Sequence, residues 1–379
     1  MAEMIFWIAI GCVAFAYVGY SLSIIVIGLF ARRKLNRADI TPTITFLITA
    51  YNEEKNLAAK IEGTLALDYP KDKLEIIVAS DGSTDRTDEI ARSYADRNVR
   101  LVRVEGRVGK TETQNQAVRQ ARHEIIIFSD ATTQYESQAL RKIVRNYNDP
   151  EVGAVSGRYE YFNPTGAAIG VGSVYFWKYE NFIKRTQTRI YTITGCCGCI
   201  YSVRKAAYQP LPADIISDLC EPLAVLSQGY RIVFEPEAIA YEETTEKTSE
   251  EFNMRVRVAV RGMRGLLFMK KLFNPFRFGF VSYQLFGHKV MRWLVPVFVL
   301  IAFAANAFLL DNRFYQVTFA LQAAFFLLAG LGFVTARWNF KLLPMSVPLF
   351  VVTVNLAMLT AMWRVMKGVR AVTWETVRR

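Results

Sequence analysis

Acidic residues and histidines are scarce in this chain of 379 residues. It has 34 Asp and Glu against 46 Lys and Arg, only two histidines, and a net charge of +12. A basic chain can bind nucleic acid, an anionic membrane surface or a phosphorylated substrate. No nucleic-acid-binding motif is present, so we expect no nucleic-acid partner. One of the two histidines, His288, is expected at a membrane interface and not in a metal site.

Glycine-rich phosphate loops are also absent. The chain has neither a GxGxxG element after its first predicted strand nor a GxxxxGK[ST] element. Dinucleotide-binding sites of the Rossmann kind and P-loop nucleotide sites depend on those loops. Both classes are therefore excluded.

Cysteine is sparse and unevenly placed. Three of the five cysteines fall within Gly195–Cys199. Adjacent cysteines rarely meet disulfide geometry, and metal sites usually need wider ligand spacing. We therefore expect reduced thiols in a cytosolic loop.

Long apolar runs are present, and they lie at the two ends of the chain. The run from Ile5 to Phe30 has no charge and exceeds the roughly 20 residues that a membrane span needs. It is too long for the apolar region of a signal peptide and has no basic segment before it. Arg32, Arg33, Lys34 and Arg37 follow at once and mark the cytosolic side.

Three further candidate spans lie near the other end: Trp293–Leu310, Tyr315–Val334 and Met345–Trp363. Four complete crossings, with 337–341 inside, would leave the last residues outside. The charges disagree, because positive residues favour the cytosol. The basic residues after the last span are Arg364, Lys367, Arg370, Arg378 and Arg379. Either one segment does not fully cross, or these residues violate the rule.

The stretch before these spans is basic and apolar together. Phe252 to Leu310 contains no acidic residue, which predicts amphipathic helices on anionic membrane lipids, divided at Asn274-Pro275. The predicted organisation of the chain is a membrane helix (1–31), a cytosolic domain (40–250), interfacial helices (251–292), about three membrane helices (293–366) and a basic tail (367–379). This describes a multi-pass integral membrane protein, of the bacterial inner membrane by expectation.

Strands alternate with helices in the predicted cytosolic domain. The predicted strands are Thr43–Ile48, Leu74–Ala79, Val99–Val104 and Glu124–Phe128, and a helix is predicted over Glu53–Leu67 after the first strand. This alternation predicts a doubly wound, mostly parallel α/β sheet, which binds ligands at the carboxyl ends of its strands. Polar loops follow the first, second and fourth strands, and Lys110 begins a helix where an anion can dock.

Several segments together resemble family 2 glycosyltransferases. In chain order they are ITFLITAYNEE, ASDGSTD, GRVGKTETQNQA, IIIFSDATT, TGCCGCIYSVRK and ISDLCEPLAVLSQGYRIVFEPEAIAYE. The subgroup they are most similar to contains the membrane enzymes related to hyaluronan, chitin and cellulose synthases and to ceramide glucosyltransferases. The resemblance implies a GT-A fold, a UDP-sugar donor, and a lipid or glycan acceptor.

The resemblance also implies roles for individual residues. The donor-binding residues would be Ala50, Tyr51, Glu53, Asp81, Lys110, Asp130 and Arg257. The acceptor-binding candidates are Glu180, Gly195, Cys196 and Cys197. Asp218 would be the general base, since inversion needs a carboxylate that deprotonates the acceptor hydroxyl. Asp130 would hold Mg²⁺ or Mn²⁺ against the diphosphate.

Three departures from the family pattern narrow the expectation. The DxD motif reads Asp130-Ala131-Thr132 and lacks its second carboxylate. The QxxRW motif of processive synthases keeps only Arg257 and has Val258 in place of Trp. The segment that resembles the family's acceptor loop carries Cys196, Cys197 and Cys199 where relatives often have Ala and Asn. The reduced QxxRW motif, together with the small number of spans, favours a single or limited transfer over polymerisation.

Other interpretations stay open at this point. Asp218 can be a helix cap, Asp130 a turn residue and Arg257 a residue facing lipid headgroups. Glu180 can pair with Lys184 one helical turn away. For the whole chain, the alternatives are a processive synthase that also translocates its glycan, a non-catalytic nucleotide-binding scaffold and a transporter. The four spans carry no intramembrane charge, which disfavours a transporter.

Overall fold

The computed structural model describes residues 1–162, 168–243, 248–336 and 343–373. The basic residues at 337–341 and 374–379 lie outside this part of the chain. In chain order the elements are α1 (Ala2–Phe30), β1 (Ile44–Ala50), α2 (Leu57–Leu65), β2 (Leu74–Asp81), α3 (Thr87–Arg92), β3 (Val99–Val104), α4 (Lys110–Gln120), β4 (Ile125–Asp130), β5 (Gln134–Tyr135), α5 (Ala139–Val144), β6 (Val152–Phe162), α6 (Ala168–Ile190), β7 (Tyr201–Arg204), α7 (Ser217–Ser227), β8 (Arg231–Glu243), α8 (Thr248–Phe268), α9 (Pro275–Phe278), α10 (Phe280–Ala307), α11 (Arg313–Ala336) and α12 (Leu343–Met366).

One eight-stranded sheet organises the domain, in the order β3-β2-β1-β4-β7-β6-β8-β5. β1 pairs in parallel with β2 and β4, and β2 pairs in parallel with β3. The prediction of a mostly parallel α/β sheet is confirmed. The second half was not predicted: β7 runs antiparallel to both β4 and β6.

The central strands are apolar on both faces because helices cover both sides of the sheet. All seven residues of β1 are buried. Phe46 and Ile48 point into one core, and Leu47 points into the other, as alternation along a strand requires. Because β1, β2 and β4 are parallel neighbours, the polar loops that follow them open at one edge. Thr49 is paired with Asp130, and Ala50 with Ser80.

The helix after β1 begins later than the sequence pattern predicts. A helix starting at Glu53 was expected, but α2 starts at Leu57. The backbone N–H of Glu53 donates to Thr87 Oγ1 at 2.8 Å, and that of Glu54 donates to Asp85 Oδ2 at 3.1 Å. These contacts hold residues 53–56 as a loop beside the β2–α3 connection, so the polar loops face one another.

Four helices in the described part of the chain are long and apolar enough to cross a membrane: Ala2–Phe30, Phe280–Ala307, Arg313–Thr335 and Val347–Met366. The break at Asn274-Pro275 is present, and Asn274 caps the short helix α9. Residues 280–292, however, do not form a separate interfacial helix. They continue without a break into the first of the three later apolar helices.

The apolar helices pack on one another and on the domain. Near the start of α1, Phe6 and Ala9 contact Ala302 and Ala305 of α10. Further along α1, Tyr20 packs in a cluster with residues of α6. The helical part is therefore joined to the domain by side-chain packing as well as by the chain.

Candidate active site

A cleft of about 310 Å³ opens at the carboxyl ends of β1 and β4. Residues from the polar loops, from α7 and from α8 contribute to it. Its lining includes Thr49, Tyr51, Glu53, Lys110, Asp130, Ala131, Thr132, Tyr159, Trp177, Cys197, Gly198, Cys199, Ile216, Ser217, Asp218, Glu242, Met254, Arg257, Val258 and Arg261. Six of the predicted donor-side and catalytic residues meet here, although they are up to 206 positions apart in the sequence (Tyr51 to Arg257).

Lys110 and Asp130 form an ion pair on one wall of this cleft. Burial lowers the pKa of Lys110, but the nearby carboxylates of Asp130 and Asp218 outweigh burial and hold the pKa above its usual value. The ammonium group is therefore charged at neutral pH. A fixed cation beside a carboxylate, at the head of α4, suits the phosphates of a nucleotide.

Asp81 lies behind the cleft and does not line it. Its carboxylate is buried and accepts hydrogen bonds from the backbone N–H groups of Val108 (2.8 Å) and Gly109 (3.1 Å) and from Thr113 Oγ1 (3.0 Å). We call residues 106–110 the donor loop. The structure thus places Asp81 where it shapes the donor loop. Ala50, at the buried end of β1, also lies outside the lining.

An aromatic residue and a guanidinium meet at the opening of the same side. The guanidinium of Arg107, in the donor loop, lies 4.1 Å from the centre of the Tyr51 ring. Glu53, two residues after Tyr51, accepts a hydrogen bond from Asn56 Nδ2 at 2.8 Å. At this distance the guanidinium stacks directly on the ring, and the stacked pair offers an outer planar face to a flat base.

Asp218 occupies the first turn of α7, on the wall shared with the acceptor loop. Its backbone carbonyl accepts from the N–H of Cys196 at 2.8 Å. Its buried Oδ1 has no hydrogen-bond partner among the described residues. Burial raises the pKa of Asp218, Lys110 opposes this, and Asp130 adds to it. Asp218 lines the cleft, and a carboxylate that protein donors leave partly unpaired can accept a proton.

The acceptor loop reaches the cleft through its second half. Cys197, Gly198 and Cys199 line the cleft, whereas the predicted Gly195 and Cys196 lie beside it. A methyl group on Gly198 would come within 2.7 Å of Asp218 Oδ2, so this close approach requires glycine. All five cysteines are free in the structure.

Glu180 lies away from the cleft lining, at the junction of α6 and α10. It is buried and contacts Arg292 and His288, the latter at 3.2 Å. The pairing with Lys184 that the sequence suggested is replaced by pairs across the junction. This position explains how α10 is held on the domain.

Two charged residues of the cleft were not predicted from the sequence. Arg261, one turn after Arg257 on α8, donates to Thr111 Oγ1 at 2.8 Å and to the carbonyl of Ile215 at 2.7 Å. It therefore ties the start of α4 to the loop before Asp218, and burial lowers its pKa to about 10. Its spacing of four from Arg257 was the available signal. Glu242, from β8, accepts from Thr132 Oγ1 at 2.8 Å, and nothing local in the sequence indicated it.

A buried lysine supports the loop that carries Asp130. Lys60 of α2 donates to the carbonyl of Thr133 at 2.5 Å, and its ammonium lies 4.4 Å from the centre of the Tyr135 ring. Burial lowers its pKa to about 7, against the pull of Asp130. The loop after β4 is thereby held from beneath by a side chain that the sequence pattern placed only in a helix.

The carboxylates of the cleft supply only part of the coordination shell that a divalent ion needs. No group of three or more His, Cys, Asp and Glu placed to hold a metal occurs within the described ranges. Asp130 and Glu242 both line the cleft. Thr132, two residues after Asp130, donates a hydrogen bond to Glu242. Mg²⁺ usually takes one or two carboxylates and completes its shell with substrate phosphates and water. The donor set therefore suits an ion that arrives with a diphosphate.

A second hollow, of about 400 Å³, lies elsewhere, between residues 37–39 and α5. Its cations are engaged within the protein: Arg145 pairs with Glu235 at 3.0 Å, and Lys142 pairs with Glu237 at 3.2 Å. It is distant from the strand ends, and we assign it no ligand.

Comparisons with known proteins agree with this geometry. Residues 45–211 match the model of a family described as glycosyl transferase family 2. A poly-beta-1,6-N-acetyl-D-glucosamine synthase of Staphylococcus aureus is 29% identical over 230 residues, which are 59% of this chain and 55% of that protein. The enzyme of the same name from Staphylococcus epidermidis is 27% identical over the same shares. The chain thus spans about half the length of the curated relatives it matches.

A solved structure matches nearly the whole chain. It is a mannosyltransferase from Pyrobaculum calidifontis in complex with GDP-Man and Mn²⁺, with a TM-score of 0.73 and 20% sequence identity, over 97% of this chain and 99% of that one. The sheet, its ligand-facing edge and this likeness define a GT-A fold. More particularly, the chain carries a glycosyltransferase family 2 domain.

Proposed function

We propose that this chain transfers a sugar from a UDP-sugar to a hydroxyl group of a membrane-proximal acceptor, with inversion at the anomeric carbon. One observation carries the proposal: Asp218, whose buried Oδ1 has no hydrogen-bond partner, lines the same cleft as Lys110 and Asp130. A base and a phosphate-binding pair on one cleft are what glycosyl transfer from a nucleotide requires.

The donor end of the cleft would bind the nucleotide. The stacked pair of Tyr51 and Arg107 would offer one planar face to the base, and Glu53 would accept a hydrogen bond from the nucleoside. Lys110 and Arg257 would neutralise charge on the leaving diphosphate. Asp130, with Glu242 as the proposed second carboxylate, would hold Mg²⁺ or Mn²⁺, and the ion would supply further positive charge there.

The acceptor end would hold the attacking hydroxyl near Asp218. Oδ1 would take the hydroxyl proton as the oxygen attacks the anomeric carbon, and the bond to UDP would break. Asp218 must be charged for this, and Lys110 and Arg261 favour its charged form. Trp177, which packs edge-on against Tyr159 at 5.0 Å, offers an apolar ring on which a sugar or lipid can rest.

The apolar helices support a membrane setting. We propose that α1 crosses the membrane and that its basic flank at 32–37 lies with the domain on the cytosolic side. The cleft would then face an acceptor presented at the inner surface. Arg257 and Arg261, which belong to α8 and line the cleft, would then lie close to that surface.

A processive synthase is the second candidate. Its support is the name of the relatives, poly-beta-1,6-N-acetyl-D-glucosamine synthase, at 27–29% identity. Against it, position 258 is Val in place of the Trp that processive relatives carry. We favour limited transfer, and UDP-N-acetylglucosamine is the first donor to test.

The deciding experiment incubates the purified chain in lipid with radiolabelled nucleotide sugars and sizes the product. UDP-N-acetylglucosamine, UDP-glucose, UDP-galactose and GDP-mannose would be compared at equal concentration. We expect labelled lipid or short glycan from one UDP-sugar. Long polymer would favour the second candidate, and turnover of GDP-mannose alone would contradict the assignment of the donor.

The pH dependence of transfer should report Asp218. Since burial raises the pKa of this carboxyl, it becomes protonated at a higher pH than an ordinary aspartate, whose value is about 3.9. We expect kcat/KM to fall on acidification along a limb placed above that value, while UDP binding changes little. A profile that stays flat to the pH at which the protein unfolds would contradict the role of Asp218.

A further inference from the structure

The last apolar helix, α12, packs lengthwise along α8. Ala357 and Ala361, one turn apart, are fully buried against Val256 and Val260 of α8. Earlier in α12, Phe350 lies 5.4 Å from the guanidinium of Arg255. Residues 350–361 of α12 thus lie against residues 255–260 of α8.

α8 itself belongs to the catalytic domain. Arg257 and Arg261 line the cleft, and Arg261 bonds to the carbonyl of Ile215 in the loop before Asp218. A helix that follows α8 along its length stays at the level of the domain. A helix that crosses a membrane would instead move away from it by about 1.5 Å per residue.

The other surface of α12 remains apolar and exposed. Leu356, Trp363 and Met366 are each at least half exposed. With one side covered by α8 and another side apolar, α12 can lie beside the domain and face lipid without crossing. Length and composition alone would have allowed α12 to cross.

After α12 the chain turns back toward the cleft. Gly368 adopts a positive φ of 73°, and the N–H of Val369 donates to the carbonyl of Arg364 at 3.0 Å, which ends the helix as a glycine at this position commonly does. Arg370 then lies 3.8 Å from Asp214, which also pairs with Arg264 of α8 at 2.7 Å.

Two residues further, the chain reaches the donor loop. A methyl group on Gly109 would lie 2.5 Å from the carbonyl oxygen of Val372 and 3.0 Å from its Cγ1. Gly109 also has a φ of 94° and donates to the carboxylate of Asp81. The loop is therefore held by Asp81 and contacted by Val372, and only glycine fits at that contact.

We propose that residues 367–373, which we call the strap, remain on the same side of the membrane as the catalytic domain and hold the donor loop in its nucleotide-binding position. Val372 is a positioning residue that acts through Gly109, and Arg370 anchors the strap on Asp214. This rests on the proposed function for its nucleotide. It also resolves the conflict between span count and charge: α12 does not cross, so Arg364, Lys367 and Arg370 stay in the cytosol.

The first test measures UDP binding to the full chain by calorimetry, in comparison with two deletions. Removing 367–379 deletes the strap, whereas removing 374–379 leaves it in place as the matched control. We expect UDP affinity to fall about fivefold or more in the first deletion and to change little in the second, which corresponds to a modest coupling between sites. Equal affinities in all three proteins would overturn the strap.

Point substitutions separate positioning from folding. Val372→Gly and Arg370→Glu should each raise KM for the donor sugar by a few fold and leave kcat near that of the unchanged chain. Val372→Ile, the conservative control, should leave KM near that of the unchanged chain as well. A fall in kcat with unchanged KM, or no change in either constant, would contradict the positioning role. If the full chain binds no UDP at all, the proposed function fails first.

The second test does not depend on the donor. An epitope placed after residue 379 would be probed in sealed inverted membrane vesicles, in which the cytosolic side faces outward. We expect antibody to reach the epitope without detergent, as it should reach a tag inserted in the catalytic domain. An epitope protected until detergent is added would overturn the placement of α12 and the strap, whatever the result with UDP.

Discussion

Asp218→Asn should lower kcat by about 10²- to 10⁴-fold and leave UDP affinity close to that of the unchanged chain. Asparagine keeps the shape of the side chain but cannot take the acceptor proton. The donor residues Lys110, Asp130 and Arg257 are unaltered, so nucleotide binding should persist. Single-turnover transfer and UDP calorimetry on the same preparation would measure both quantities.

A matched control lies one turn further along the same helix. Glu221 is fully buried, accepts a hydrogen bond from the Tyr201 hydroxyl at 2.9 Å, and burial holds its pKa well above the ordinary value. Glu221→Gln keeps the shape of a side chain that does not line the cleft and should keep most of the activity. If it matches Asp218→Asn in its loss of kcat, helix packing and not proton transfer explains both.

Retained transfer in Asp218→Asn would contradict the general-base assignment directly. Among the described residues that line the cleft, no other carboxylate has a buried oxygen without a hydrogen-bond partner. Loss of UDP binding together with transfer would point to a cap for α7. In that case Ser217 and Asp218 would serve the helix start and not the reaction.

The parallel half of the domain could be predicted because its signals are local. β1, β2, β3 and β4 are short apolar runs followed by polar turns, and parallel strands bring those turns to one edge. The family pattern selected Tyr51, Lys110, Asp130 and Asp218, and the structure brings all four to one cleft. The final register, with Thr49 beside Asp130, followed from pairing between strands 80 residues apart.

The rest depends on contacts between distant segments, which no local pattern carries. Glu242 reaches Thr132 across 110 residues of chain, and Arg261 reaches Thr111 across 150. Glu180 was placed near the acceptor from its neighbours in sequence, yet its partners come from α10. These pairs form because the sheet brings β8 beside β6 and because α8 folds back over the cleft.

The membrane half shows the same limit in another form. Hydropathy describes how apolar a segment is, and α12 is apolar enough to cross. It says nothing about which helix covers one face, and here Ala357 and Ala361 are small enough for α8 to approach closely. The charge pattern carries separate information, since the basic residues after α12 oppose a fourth crossing.

Asp130→Asn should reduce kcat/KM by about 10²- to 10³-fold, the usual cost of losing one group that stabilises developing charge. The substitution leaves the β4 turn and the Lys60 contact in place, so the fold should be retained. Lys110 loses its carboxylate partner and remains charged enough to contact the diphosphate. We therefore expect UDP affinity to fall much less than turnover.

Chelation tests whether Asp130 acts through a metal ion. If it does, removing Mg²⁺ and Mn²⁺ should lower the unchanged chain to the level of Asp130→Asn and should have little further effect on that variant, because two changes to one interaction are not additive. Full activity in excess chelator would show that Lys110 and Arg257 neutralise the leaving group without an ion.

Glu242→Gln separates the two carboxylates. It preserves the hydrogen-bonding shape beside Thr132 and removes one negative charge from the cleft. As the proposed second ligand, Glu242 should set metal affinity more than turnover, so the metal concentration for half-maximal activity should rise while saturated kcat stays near that of the unchanged chain. An unaltered metal requirement would contradict the role of Glu242 as a ligand. Asp130 would then be the carboxylate that holds the ion, and β8 would not replace the second Asp of the DxD motif.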